Sequence, residues 1–260
     1  MSEVLHITRA GAVLEVMLDR PKANAIDAPT SRAMGEAFAT FRDDDELRVA
    51  IVTGAGERFF SAGWDLKAAA AGETPDADFG LGGFGGLQEL PGLNKPVIAA
   101  VNGMAVGGGF ELALSADLII AAEHARFALP EIKAGQLADA ATIKLPRRIP
   151  YHVAMELLLT GRWLEAEEAR RCGLVNDIVA AADLLARARE LAALLAAGPP
   201  LVFAAIKEVV RESAHLRVQD AFDLITNKGL PAVRTLYESE DAREGARAFA
   251  EQRQPVWKGR

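Results

Sequence analysis

Three consecutive glycines and two glutamates are the residues whose types and spacing can do chemistry in this chain. The run VNGMAVGGGFELALSAD (101–117) places Gly107 to Gly109 just ahead of Phe110 and Glu111, with an apolar, helix-favouring stretch behind them. The second glutamate, Glu131, lies in FALPEIKAG, where Pro130 fixes the chain before it. Two carboxylates on either side of a helix–strand unit can converge, because the chain between them goes out and returns. Carboxylates held close resist simultaneous ionisation, so one keeps its proton near neutral pH. One residue type then supplies both an acid and a base, as proton transfer requires. Taken singly, Glu111 reads equally well as a complement to a helix dipole, and Glu131 as a surface acid.

The glycines fit the same chemistry. Without a Cβ the backbone can approach a ligand closely, and the first N–H groups of the helix that follows have no intrahelical acceptor. Such an N–H, paired with one from another loop, makes an oxyanion hole for a carbonyl that becomes an enolate. RFFSAGWDLK (58–67) offers the second loop: Ala62 and Gly63 form a small-residue turn that exposes the N–H of Trp64. Other motifs fail. The G-x-G-x-x-G at Gly80, Gly82 and Gly85 follows TPDADF, which is no strand, so it is not a dinucleotide site. There is no P-loop and no G-x-S-x-G elbow. His6, His124, His152 and His215 fall at no ligand spacing and the lone Cys172 adds nothing to them, so no metal site is expected.

The elements that must position these residues read as α/β. Four β-type runs occupy 12–19, 48–54, 95–103 and 117–128; two of them are nearly continuous apolar segments, as in strands covered on both faces. Asp27 caps a helix with Pro29 in its first turn, running to about Arg42, and another helix follows Gly107. From about residue 140 the pattern is almost wholly helical, with a strong stop at Gly198-Pro199-Pro200. The glycine-rich segment 71–93 reads as a mobile loop whose Phe79 and Phe84 cover something apolar.

Composition narrows the function class. Half of the 260 residues are hydrophobic and 25% charged, which is ample for a core without disulfides or metals. The formal charge of −7 argues against a nucleic-acid partner. The amino end lacks a signal-peptide pattern, and the uncharged run 96–110 is too short to span a bilayer, so a cytoplasmic protein without a membrane partner is expected.

With these residues in view, the chain resembles the enoyl-CoA hydratase (crotonase) superfamily. RPKANAID, FFSAGWDLK, KPVIAAVNGMAVGGGFELALSAD, FALPEIKAG and FAEQRQPVWKGR match in order and span essentially the whole chain. RPKANAID, GWDLKAAA and PVWKGR more particularly resemble the branch that dehydrates carnitinyl-CoA to crotonobetainyl-CoA. The resemblance implies a crotonase-like spiral of ββα units over 1–195 and a C-terminal helical region, 196–260, that builds a homotrimer, often paired into a homohexamer. It implies an acyl-CoA thioester as substrate, with no metal or redox cofactor, since coenzyme A is part of the substrate. By position, the N–H groups of Trp64 and Gly108 would hold the thioester oxygen, Glu111 would handle the water, and Glu131 the proton at the α-carbon. Lys22, Ala23, Ile26, Ala62, Asp65 and Leu66 would line the coenzyme A site, closed by a neighbouring subunit's tail around Phe249 and Lys258. A trimethylammonium head would be held by an aromatic face and a carboxylate, with Trp64, Phe84 and Asp139 as candidate pocket residues.

One stretch departs from the superfamily's pattern. Where members carry G-x-x-P-x-x-G-G after the second glutamate, this chain reads GQLADAAT, with Ala138 at the proline position and Ala141 and Thr142 near the glycine pair. In hydratases that stretch lies beside the water site, so altered water placement is expected. General enoyl-CoA hydration, double-bond isomerisation, thioester hydrolysis and a weakly active binding role stay open as alternatives. The presence of both glutamates favours hydration.

Overall fold

A computed structural model describes residues 4–227 and 229–260. Its largest sheet has six strands in the order β1 (Leu5–Ala10), β2 (Val13–Leu18), β4 (Val49–Gly54), β7 (Val97–Val101), β9 (Leu118–Ala122) and β12 (Asp177–Val179). β1 and β2 form an antiparallel hairpin, and every later neighbour pairs in parallel. Side-chain alternation splits the apolar runs between two cores. Ala50, Val52, Val97, Ala99 and Val101 face the main core, while Val49, Ile51, Ile98 and Ala100 face Ala188 and Ala192 of α7 (Leu184–Ala196). Both faces are therefore dry, which is why these strands read as unbroken hydrophobic segments.

A second sheet, ordered β11 (Leu164–Glu165), β10 (Arg126–Ala128), β8 (Met104–Val106) and β5 (Phe59–Ser61), collects the short strands that follow β4, β7 and β9 and adds β11 at its edge. A two-stranded ladder joins β3 (Ala25–Ile26) to β6 (Gly63–Trp64). Each turn of chain thus gives a strand to the large sheet, a strand to a smaller one and usually a helix: α1 (Ala28–Asp43), α2 (Leu66–Ala70) and α3 (Gly108–Ser115). This is the ββα spiral that the resemblance implies.

Local chemistry sets the element ends. Asp27 accepts a hydrogen bond from the N–H of Thr30, and a proline occupies the first turn of α1, as its sequence requires. Arg20 then donates to Asp27 at 2.7 Å, to Asp65 at 2.6 Å and to the carbonyl of Ala25 at 3.0 Å. Asp65 caps α2 by accepting from the N–H of Lys67, so one guanidinium fastens the starts of two helices to β3. Asn24, at φ +51, donates to the carbonyls of Ala55 and Phe59 and binds this turn to β5.

Two sequence readings change. The single run expected over 117–128 is two strands in different sheets, because Glu123, His124 and the turn around them break the ladder between β9 and β10. Strands of two or three residues also appear where only turns or helices were expected, including β5, β6, β11 and β12. After β10 come α4 (Asp139–Lys144), α5 (Tyr151–Thr160) and α6 (Ala166–Arg171). Beyond α7, α8 (Pro200–Ser213), α9 (Val218–Thr226) and α10 (Pro231–Glu238) pack around a small cluster of Ala205, Leu230 and Val233; α11 (Glu244–Ala250) follows. Among the described residues no single helix is long and apolar enough to cross a membrane.

The spiral brings β5 against α3 without room for a side chain. A Cβ on Gly109 would collide with the backbone carbonyl oxygen of Ser61, a group that cannot rotate away. Gly109→Ala is therefore expected to cost about 2 kcal/mol or more. That loss reads as a fall of at least ~4 °C in melting temperature. A melt matching wild type would show that this contact is not close-packed.

Candidate active site

The glycine triplet and both glutamates meet at the end of β8. Parallel pairing sets Val106 level with Ala128, so the chains leaving β8 and β10 start side by side. Gly107 donates its N–H to the carbonyl of Ala128 at 2.9 Å and turns the chain into α3 at φ +54, a region that disfavours side chains. A Cβ there would also lie 2.5 Å from Oε1 of Glu131. The bare Cα of Gly107 is thus the surface against which the second carboxylate rests.

Glu111, in the first turn of α3, is only 8% exposed. Its Oε1 accepts from the N–H of Ala141 at 2.8 Å and its Oε2 from the side-chain amide of Gln88 at 3.4 Å. Burial pushes its pKa up; the two hydrogen bonds and Lys144 oppose that rise, and Asp139 adds to it. Glu131 stands in the short 3-10 turn Pro130–Ala134 and its pKa is raised to about 7 by burial, opposed by a hydrogen bond from its own backbone N–H and reinforced by the charge of Glu111. Among the described residues, Oε2 of Glu131 is a buried side-chain oxygen with no hydrogen-bond partner. One carboxylate is held by two donors; its neighbour leaves one oxygen unpartnered and is poised to carry a proton at neutral pH.

The two backbone donors also come together. Gly63, at φ +79, packs so tightly on α3 that a Cβ would lie 2.8 Å from the nitrogen of Gly108. Trp64, the next residue in β6, is therefore beside the first N–H of α3. Its indole Nε1 donates to Glu73 at 2.6 Å, and the other oxygen of Glu73 accepts from the N–H of Ala28 at 2.9 Å. The ring is half-buried and fixed. On the other side Phe84 lies edge-on against the Cα of Gly108 and stacks in a T with Phe79, centroids 5.4 Å apart. The glycine-rich segment thus delivers an aromatic cover to α3, and its G-x-G-x-x-G is packing against α1 and Leu112.

The other expected residues fall in three places. The carbonyl of Ala23 accepts from the N–H of Ala62 at 2.9 Å, and Asp65 bonds the carbonyl of Ile26 through its N–H at 2.8 Å, which gathers Lys22, Ala23, Ala62 and Asp65 on one ledge. Leu66 projects from it, 75% exposed, whereas Ile26 is wholly buried and, against expectation, presents no surface on the ledge. Phe249 stands on α11, 87% exposed, and the Lys258 amine pairs with Glu240 at 3.0 Å. Asp139 is exposed as the first residue of α4.

The departing stretch is part of the site. GQLADAAT forms the turn before α4 and the first four residues of that helix, with Ala138 and Ala141 buried, and the N–H of Ala141 is one of the donors that hold Glu111. Sequence reading missed Ala141, Gln88, Glu73 and Lys144. Gln88 lies 23 residues before Glu111 and Ala141 acts through its backbone, so no side-chain pattern marks either.

A family model described as enoyl-CoA hydratase/isomerase matches residues 8–260. The chain is 58% identical to a carnitinyl-CoA dehydratase of Salmonella heidelberg (strain SL476), over the whole of both chains. It superposes on the crystal structure of enoyl-CoA hydratase from Mycobacterium tuberculosis H37Rv with a TM-score of 0.89 at 40% identity, covering 99% of each chain. The enoyl-CoA hydratase of Mycobacterium marinum gives a TM-score of 0.90 at 40% identity, again over 99% of each.

The raised carboxyl of Glu131 makes a thermodynamic prediction. The folded protein keeps this proton up to about pH 7, while the unfolded chain releases it near the ordinary 4.5. The unfolded state then binds fewer protons across that window, so this residue's contribution to stability falls as pH rises from about 4.5 to about 7. The stability of Glu131→Gln relative to wild type should therefore increase by roughly 1–3 kcal/mol between pH 5 and pH 8 in urea melts. A difference that stays constant with pH would mean that Glu131 titrates normally.

Proposed function

The chain belongs to the enoyl-CoA hydratase/isomerase family, and from that premise we propose that it interconverts carnitinyl-CoA and crotonobetainyl-CoA by loss and addition of water. It is a hydro-lyase acting on a coenzyme A thioester. The observation that carries the mechanism is the asymmetric pair across Gly107: Glu111 held by two donors, Glu131 buried with one oxygen unpartnered.

In the hydration direction the N–H groups of Trp64 and Gly108 hold the thioester oxygen. Glu111, whose anion its donors favour, takes a proton from water as the water oxygen bonds to the β-carbon. The electron pair of the double bond moves onto the thioester, whose oxygen gains negative charge and is stabilised by the two N–H groups. Glu131 then gives its proton to the α-carbon. Dehydration reverses these steps: Glu131 removes the α-proton, and the β-hydroxyl leaves with the proton on Glu111. Every charge that appears is met by a group already in place, so neither metal nor redox cofactor is called for.

The trimethylammonium head is assigned to the indole face of Trp64. Glu73 fixes that ring and sets a negative charge at its rim, and Asp139 is exposed at the start of α4. Coenzyme A is assigned to the ledge of Lys22, Ala23, Ala62, Asp65 and Leu66. A homotrimer or a pair of trimers is the assembly we infer. On the single chain Val218, Phe222 and Phe249 of the C-terminal helices are exposed apolar residues, and a neighbour's Phe249 and Lys258 region is placed over the nucleotide end.

Following absorbance during turnover of crotonobetainyl-CoA and crotonyl-CoA tests this reading. Wild type should favour crotonobetainyl-CoA in kcat/KM. Glu111→Gln and Glu131→Gln should each lose about 100-fold or more in kcat, with coenzyme A affinity nearly unchanged. Trp64→Ala should erase much of the preference between the two substrates. Wild-type-like hydration by either glutamine variant removes the acid–base assignment; an unchanged preference in Trp64→Ala removes the cation site.

A further inference from the structure

Lys144, in the last turn of α4, is half-buried beside Glu111 but forms no ion pair with a carboxylate among the described residues. Its Nζ donates instead to the carbonyl of Gln88 at 3.0 Å and to the hydroxyl of Ser115 at 2.9 Å. Both acceptors lead to the same glutamate. The side chain of Gln88 donates to Oε2 of Glu111 at 3.4 Å, and the hydroxyl of Ser115 donates to the carbonyl of Glu111 at 2.8 Å. The third donor on Glu111, the N–H of Ala141, belongs to the helix that carries Lys144. The amine therefore closes a ring from α4 to the loop at Gln88, to α3, and back to Glu111.

We propose that Lys144 is the positioning residue for Glu111: it fixes the donors around that carboxylate and, among the described residues, supplies the nearby cation that favours its anion. This rests on the assignment of Glu111 as the group that activates water.

The charges around the pair support it from every side. Glu111 faces Asp139 on α4, which disfavours its charge, while Lys144 opposes Asp139; the charge of Glu111 in turn raises Glu131 on the 130–134 turn. Lys144 in turn faces Glu111, Glu89 from the loop and Arg148 beyond α4. Burial and Arg148 push its amine down to about 8, so it is a cation at neutral pH but loses that charge within the working range of an alkaline assay. A structural tether alone would not require a charge here, because a neutral amide can donate to a carbonyl and a hydroxyl equally well.

The test separates charge from tether and does not depend on turnover. In protein carrying 13C-labelled glutamate side chains, the Glu111 carboxyl signal is identified by its loss in Glu111→Gln and titrated in wild type, Lys144→Met, Lys144→Gln and Lys144→Arg. Melting curves establish that each variant is folded, and Lys144→Gln stands in if Lys144→Met is not. Losing the cation should move the Glu111 titration up by ~1 pH unit or more, while Lys144→Arg leaves it near wild type. With crotonobetainyl-CoA the neutral variants should lose about 10-fold in kcat with KM within about 2-fold, and the acid limb of the kcat profile should shift with the carboxyl. A Glu111 titration unmoved in the neutral variants overturns the proposal even if their kcat falls. A clear shift in a wild-type protein that turns over neither thioester upholds the role of Lys144 and sinks the proposed reaction instead.

Discussion

Two carboxylates occupying one half-buried space cannot both be charged cheaply, and the rest of the structure is arranged around that constraint. Desolvation raises both pKa values, and the charge of Glu111 adds to the rise at Glu131. The fold resolves the conflict by treating them unequally. Glu111 receives a backbone N–H, a side-chain amide and a nearby ammonium, all of which favour its anion. Glu131 has a hydrogen bond from its own backbone N–H and keeps its Oε2 unpartnered. A difference in chemical role between two identical side chains is thus produced entirely by their donors.

The spiral supplies the geometry that this division needs. Because β8 and β10 are parallel and in register, Gly107 and the turn carrying Glu131 begin at the same height. The large sheet behind them is buried on both faces and leaves the position of these strand ends no freedom. Gly63, Gly107 and Gly109 then let β6, the Glu131 carboxylate and β5 approach α3 more closely than any side chain permits. The glycine cost in strand and helix propensity is the condition for bringing two N–H groups and two carboxylates within one small volume.

Much of this was legible in the sequence where local chemistry leaves a mark. Asp27 and the proline of α1, the buried strands at 49–54 and 97–101, and the glycine triplet ahead of Glu111 all declare themselves by residue type and spacing. What escaped was either too short or too distant. Strands of two or three residues such as β6 and β11 fall below any periodicity. Gln88, Glu73 and Lys144 act on residues brought near only by the closed spiral, and each would pass for an ordinary polar residue of a loop or helix end. The stretch GQLADAAT was visible as a departure, yet its consequence was not, because the group it contributes is a main-chain N–H.

That last contact has a consequence for inheritance. A donor carried by the backbone is silent to small substitutions: alanine, glycine or serine at position 141 presents the same N–H to Glu111. The exposed residues of this stretch can therefore drift far from a family signature while the carboxylate remains held. Changes in the course of the chain, a side chain too large for the buried positions 138 and 141, or a proline at 141 that deletes the hydrogen itself, would be felt there. Identity at such a position is a poor record of what selection preserves; the path of the main chain is the better one.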